Sequence, residues 1–355
     1  MSNNISRLRG RMDLASLPGM LVADARNVQW LTGFTGSFGR VMLTLDEGIF
    51  ITDSRYGLQA QDQVKGLKIE VFSTPTTDDQ AIAKASRLLG VQKLGFERSI
   101  TFDQWEKWTT AMEQVQLIPA PDIITQLRLV KTSEEIEKIR AACKLADACV
   151  EHAARMIQPG VSEFDIGLDI EFFFRRQGAG IAFPPIVASG PNSAKPHGRA
   201  SERKIEKGDF VTLDLGCTLD GYNSDITRTF VVGEASERQK LIYNQVLKAQ
   251  VAAIDAIKPG ANGKDVDALS RQVLDEQQFA QYFGHGLGHG LGIDVHDGGR
   301  LSSGADQPIA SGQVWTVEPG VYIDGYGGVR IEDDVVVTET GNEVLTHFPK
   351  TLTVL

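Results

Sequence analysis

From Ile157 onward the chain repeats itself. Ile157-Gln158-Pro159-Gly160, followed by Asp165-Ile166, returns 100 residues later as Ile257-Lys258-Pro259-Gly260, followed by Asp265-Val266. GDFVTLDLG (208–216) returns as GQVWTVEPG (312–320) at an offset of 104, and Gly221-Tyr222 returns as Gly325-Tyr326. One such match is common by chance, but three in the same order point to a duplicated half-domain. A duplication constrains the fold more than composition does, because two similar halves must pack about a shared cleft. It lays Asp214 over Glu318, so each half is expected to bring a carboxylate to that cleft from an equivalent strand.

The sequence around those acids makes them unusual. FVTLDLG and SDITRTFVV alternate with period two, as strands do, and Asp220-Gly221 between them is a two-residue hairpin signal. Asp214 and Asp225 are therefore expected to face each other on paired antiparallel strands. In the second half TVEPG presents Glu318, and VRIEDDVVV presents Glu332 after a longer hairpin through Gly325-Tyr326-Gly327-Gly328. Acids inside apolar β runs are costly. Four in one cleft cannot persist as unpaired anions; they take up protons or recruit a cation. Hard oxygen ligands with one imidazole suit Mn, Co, Zn or Fe, and four carboxylates suffice to bridge two such ions.

The imidazole is sought in FGHGLGHGLGIDVHD (283–297), which holds three of the six histidines. A dinucleotide fingerprint would read G-x-G-x-x-G between a strand and a helix, whereas these glycines alternate and run into strand-like IDVH. A helical H-E-x-x-H zinc site also fails. His285 and His289 have the spacing, but no Glu follows His285, and glycines at 284, 286, 288, 290 and 292 would spoil a helix. What the glycines allow is close backbone approach to a metal or substrate.

The rest of the chain reads as a separate domain. GMLVADA, VMLTLDEGIFIT, LKIEVF and QKLGFE read as strands, with DDQAIAKASRLLG and FDQWEKWTTAMEQV as helices, so residues 1–122 are expected to form a small α/β domain. LIPAPDI (117–123) is the expected linker, and a long helix capped by Thr132 or Ser133 opens the second domain, residues 123–355. A net charge of −10 argues against nucleic-acid and anionic-membrane partners. No apolar run approaches the ~20 residues of a spanning helix, so a cytoplasmic protein is expected. Cys143, Cys149 and Cys217 form no C-x-x-C pair and are read as reduced core residues.

Asp214, Asp225, His289, Glu318 and Glu332, in that order and in the settings GHGLGIDVH, TVEPG and RIED, resemble the ligand pattern of the pita-bread metallopeptidases. That family comprises methionine aminopeptidases, Xaa-Pro aminopeptidases and prolidases. RLVKTSEE (128–135) further resembles the start of the catalytic domain in the proline-specific branch, whose members also carry a creatinase-like N-terminal α/β domain. The resemblance implies an α+β pita-bread catalytic domain with an internal pseudo-two-fold, and two divalent metal ions per chain (Mn, Co or Zn). It makes Asp214 a ligand of one metal, Asp225 and Glu332 bridges to both, and His289 and Glu318 ligands of the second. His197 and His296 would contact the scissile carbonyl or the tetrahedral intermediate. His296-Asp297 stands where many relatives have His-Glu, a variation also found within the proline-specific branch. The metal-free creatinases lose the ligands; this chain keeps all five.

The chemistry implied is hydrolysis. Two metals about 3.5–4 Å apart lower the pKa of a shared water, supply a hydroxide nucleophile at neutral pH and clamp the developing oxyanion. Glu318 would accept the water's proton and pass it to the leaving nitrogen. Tyr222 and Phe183 are candidates for an apolar proline pocket, and Arg300 for the fork that pairs with the free carboxylate of a dipeptide. The favoured reading is a homodimeric Xaa-Pro dipeptidase acting on short proline-containing peptides. Its alternatives are an Xaa-Pro aminopeptidase on longer peptides, a non-catalytic peptide-binding relative and a metal-free creatinase-like hydrolase.

Overall fold

A computed structural model describes residues 3–355 and divides them between Arg128 and Leu129 into two compact units. The first is built on a six-stranded mixed sheet, in the spatial order Lys68–Phe72, Gly48–Asp53, Arg40–Thr44, Gly19–Val22, Lys93–Phe96, Gln116–Pro119. Leu21, Met42, Ile49, Ile51 and Leu94 from the strands pack on Ile82 and Trp108 from the helices Asp78–Leu88 and Phe102–Ala111. VMLTLDEGIFIT is not one strand but a hairpin, with Thr44 and Glu47 closing its turn. The expected linker also differs. Gln116–Pro119 pairs with Lys93–Phe96 as an edge strand, which tolerates Pro119 because one of its sides needs no ladder hydrogen bonds. The following helix, Ile123–Leu129, buries Ile123, Ile124 and Leu127 and donates from Arg128 Nη1 to Asn27 Oδ1 at 2.6 Å. That helix moves the division from Asp122 to Arg128.

The second unit is a duplication in its hydrogen bonds as well as its sequence. A long helix, Ser133–Ala154, is followed by Glu163–Arg176, and in the second half Glu237–Ala256 is followed by Gly263–Asp275. Thr132 and Glu135 form a reciprocal capping box at the first helix, and Ser236 and Gln239 do so at the third. After each long helix the same turn recurs: Gly160 and Gly260 have φ of 92° and 85° and donate to the carbonyls of Ile205 and Ile309. The caps Ser162 and Asn262 then start the second helix of each half. Each half has its own core, one around Ile166, Ile170, Phe174 and Leu213, the other around Val246, Leu274, Trp315 and Val317.

Strand register decides where the acids stand. Phe210–Leu215 pairs with Ile226–Val231 so that Asp214 lies opposite Thr227, not Asp225. The hairpin continues through Cys217–Leu219 and Tyr222–Asn223 to a two-residue turn at Asp220 and Gly221, both with positive φ. Asp225 is thus the diagonal neighbour of Asp214 on the same face, opposite Gly216. A Cβ at Gly216 would sit 2.0 Å from the Ser224 carbonyl, so only glycine fits beside the acid. In the second half Val314–Val317 pairs with Asp333–Val337, and extending that register by one residue sets Glu318 opposite Glu332. Among the described residues no helix is long and apolar enough to cross a membrane. All three cysteines are buried and unbridged, as expected.

Candidate metal centre

The four carboxylates and His289 line one cavity of about 730 Å³, within the range usual for small-ligand sites. Asp225, His289 and Glu332 each offer a ligand atom, all within 4.8 Å of one another. His289 Nε2 lies 3.8 Å from Asp225 Oδ2 and 3.6 Å from Glu318 Oε1. The exposures of Asp214, Asp225 and Glu332 are 8%, 5% and 2%. These acids are therefore desolvated at close quarters.

His289 comes from a two-residue strand, Gly288–His289, whose backbone lies hard against the neighbouring strand. A Cβ at Gly288 would be 1.9 Å from the Thr316 carbonyl, and one at Gly290 would be 2.1 Å from that of Gly298. None of the alternating glycines in 284–292 has a positive φ. They serve close approach, not an unusual turn. Thr316 Oγ1 accepts from His289 N at 3.0 Å and lies 3.4 Å from Glu318 Oε1, joining the two residues from below.

A cation that the sequence reading missed is built into this cluster. Arg330, 4% exposed, donates from Nη2 to Asp214 Oδ2 (2.5 Å), from Nε to Thr227 Oγ1 (3.1 Å), and from Nη1 to Tyr322 Oη (2.9 Å) and the Pro196 carbonyl (3.1 Å). Thr227 in turn donates to Glu332 Oε2 at 2.6 Å. The signal was present: Arg330 precedes Glu332 by two residues in a strand, and period two puts both on one face.

Burial pushes all four acids above the usual carboxylate range. Asp225 is raised further by Glu332 and Asp214, Glu318 by Glu332, and Glu332 by Asp214, while Arg330 pulls Asp214 back down. Burial, with His296 close by, holds His289 down at about 4, so its imidazole is neutral and free to ligate. Asp214 Oδ1 and Asp225 Oδ1 are buried with no hydrogen-bond partner among the described residues. Such orphaned oxygens are rare, and a cation is the partner that relieves both the desolvation and the mutual repulsion. The donor set fits divalent ions.

The remaining candidates separate. His197 and His296 line the cavity, with the His296 ring centroid 4.3 Å from that of His289, and Phe183 forms part of its apolar wall with Pro184, Pro185 and Val295. Arg300 lies elsewhere: it pairs with His289 across a two-residue ladder and lines an adjoining cavity of about 370 Å³ that also reaches His296 and Glu318. Tyr222 is buried in the hairpin, donates to Glu135 Oε1 at 2.8 Å and is not among the residues lining these two cavities. His285 is held between the Gly286 carbonyl and Tyr322 Oη, and burial keeps it neutral, at about 4. His152 pairs with Asp169 away from the site.

Comparison with known proteins follows the same division. Residues 137–339 match metallopeptidase family M24, and residues 4–130 match the creatinase/prolidase N-terminal domain. The chain is 43% identical to the uncharacterized peptidase YqhT of Bacillus subtilis, covering 99% of each chain. Its structure is similar to that of an Xaa-Pro dipeptidase from Bacillus anthracis, with a TM-score of 0.96, 44% identity and 99% of each chain covered. It is also similar to an X-Pro aminopeptidase from Thermotoga maritima, with a TM-score of 0.91 and 34% identity, covering 98% of this chain and all of that one.

Proposed function

The chain belongs to metallopeptidase family M24, with a creatinase/prolidase N-terminal domain, and on that premise we propose that it is a two-cation peptidase cleaving the bond between an N-terminal residue and proline, with dipeptides as preferred substrates. The observation that carries this reading is the five-residue set lining one cavity, with two buried carboxylate oxygens left without protein partners. Charge counting supports two ions. Four carboxylates and Arg330 sum to −3; one divalent ion leaves −1, and two leave +1, a surplus that favours an anion in the pocket.

Bound divalent cations would supply Lewis acidity and ionise water near neutral pH. Asp214 would hold one ion, His289 and Glu318 the other, and Asp225 and Glu332 would be shared. Glu318, which lines the same cavity, would take the proton of the attacking water and deliver it to the departing nitrogen. His197 and His296 face the cavity, where they can donate to the carbonyl oxygen as negative charge develops. A proline nitrogen offers no N–H to recognise, so the bond must be selected by position. The apolar wall at Phe183, Pro184, Pro185 and Val295 supplies a surface for that purpose. Arg300 lines the adjoining cavity and would pair with the carboxylate of a dipeptide.

Metal content by elemental analysis, combined with hydrolysis of Xaa-Pro, Xaa-Pro-Xaa and Met-Ala-Xaa, tests the reading. Two ions per chain and a preference for Xaa-Pro are expected, with activity lost after chelation. Full activity after exhaustive chelation would refute the metal mechanism. Equal cleavage of tripeptides would favour the second reading, an Xaa-Pro aminopeptidase. The whole-chain likeness to the Thermotoga protein and the size of the larger cavity support that alternative.

A further inference from the structure

His197 is held on a loop, yet the loop has a rigid base. Glu163, the first residue of the Glu163–Arg176 helix, is completely buried and its carboxylate accepts five hydrogen bonds. Oε1 accepts from Ser189 N (2.6 Å) and Ser189 Oγ (2.7 Å); Oε2 accepts from Asn192 Nδ2 (2.9 Å), Ser201 N (3.1 Å) and Ser201 Oγ (2.6 Å). Ser189 and Asn192 precede His197 in the chain and Ser201 follows it. One carboxylate therefore joins both ends of the segment 190–201, while Arg330 holds its middle through the Pro196 carbonyl.

We propose that Glu163 is a positioning residue, its buried carboxylate closing the base of the 190–201 loop so that His197 is held at the cavity. The proposal rests on the reading of His197 as a donor to the reacting carbonyl. A charged acceptor with five donors suits a positioning task, because charge-assisted bonds are short, directional and costly to lose inside a protein. The second half uses a parallel device. Asp267, on the corresponding helix Gly263–Asp275, accepts from Leu287 N and from Arg271, and Arg271 donates to the carbonyls of Phe283 and His285. That pair fixes the loop leading to His289. In both halves a buried acid on the second helix secures a histidine-bearing loop.

Glu163→Gln keeps the shape but sets an amide N–H₂ against donors on one side. A displacement of about 1 Å can cost ~100-fold in rate, so kcat is expected to fall about 10- to 100-fold with metal content unchanged. His197→Ala should fall at least as far, and the double variant should be no slower than His197→Ala alone, since Glu163 acts through that imidazole. Amide hydrogen exchange should quicken in 190–201 and stay as in the parent elsewhere. Asn192→Ala and Ser201→Ala, each removing one bond to Glu163, should show smaller changes of the same kind if the Gln variant folds poorly. Independent, multiplying losses in the double variant, or unchanged exchange in 190–201, would overturn the proposal. If the parent protein cleaves no Xaa-Pro bond, the exchange measurement still decides the loop's anchoring separately from the enzymatic reading.

Discussion

Arg330→Met should weaken the metal-free protein and tighten its grip on metal. Among the described residues Arg330 is the one side chain that pairs with Asp214, and breaking a buried pair by removing one partner typically costs about 3–5 kcal/mol. The neutral acceptors that also lose a donor, Thr227 Oγ1, Tyr322 Oη and the Pro196 carbonyl, account for about 1–2 kcal/mol of that. With divalent ions bound, Asp214 regains a cationic partner and only the neutral share is lost. The metal-free form is therefore destabilised by about 2–3 kcal/mol more than the loaded form. By linkage, the variant must bind metal tighter by the same amount, about 30- to 150-fold. At roughly 2–4 °C per kcal/mol for a unit of this size, Tm should drop about 10 °C in EDTA and a few degrees with Mn²⁺. Calorimetry in both conditions and titration with a competing chelator measure each side of the cycle. Equal losses in EDTA and Mn²⁺, or weaker metal binding, would refute the charge-balancing role.

Asp225→Ala or Glu332→Ala should leave at most one ion per chain and lower turnover by orders of magnitude; retention of two ions would show that neither bridges. Metal-free stability should fall as pH rises. Asp225, Glu318 and Glu332 have raised folded pKa values, so the folded state binds more protons than the unfolded one and loses stability as pH rises from about 4, with Glu332 contributing up to about 8. His285 and His289, depressed to about 4, work in the opposite sense up to about pH 6.5. The decline should thus be plainest between about pH 6.5 and 8 in urea titrations with EDTA, and should vanish with Mn²⁺. Equal metal-free stability at the two pH values would show that the acids are not raised. Arg300→Ala should raise KM for Xaa-Pro more than for Xaa-Pro-amide or Xaa-Pro-Xaa; equal effects on all three would leave the arginine a structural role.

The cluster of four acids was legible because each acid interrupts an apolar strand, and an interruption repeated at a fixed offset stands out in a single sequence. The duplication also set the order of helices and hairpins. What stayed hidden depends on register and on contacts distant in the chain. Whether Asp214 faces Asp225 or its diagonal neighbour turns on a shift that the alternating pattern alone leaves open. Glu163 begins a helix, where acids are common for dipole reasons, so nothing local distinguishes it from a surface acid. Tyr222 follows a hairpin turn near the metal face, but its ring turns into the core. Gln116–Pro119 lacks alternation because an edge strand needs little of it.

The duplication explains how the fold arose more than how the site works, because the chemistry lies where the halves differ. Superposing the two hairpins by register puts Asp214 over Glu318 and Thr212 over Thr316, and there the symmetry holds. It then fails at three places. Asp225, opposite Gly216, falls over Arg330, opposite Gly320; Thr227 falls over Glu332; and Ala188, opposite Thr212, falls over His289, whose backbone N–H binds Thr316. The mismatched pairs also meet: Glu332 N donates to the Thr227 carbonyl, and Thr227 Oγ1 donates to Glu332. A symmetric site would set either two cations beside the acids or two further carboxylates with no arginine, and would carry either no imidazole or two. Asymmetry places acids in one half against a buried arginine in the other, leaving a deficit that two ions can fill. Under the two-cation reading it would also give the two ions different protein donors, a histidine and Glu318 on one side and Asp214 on the other.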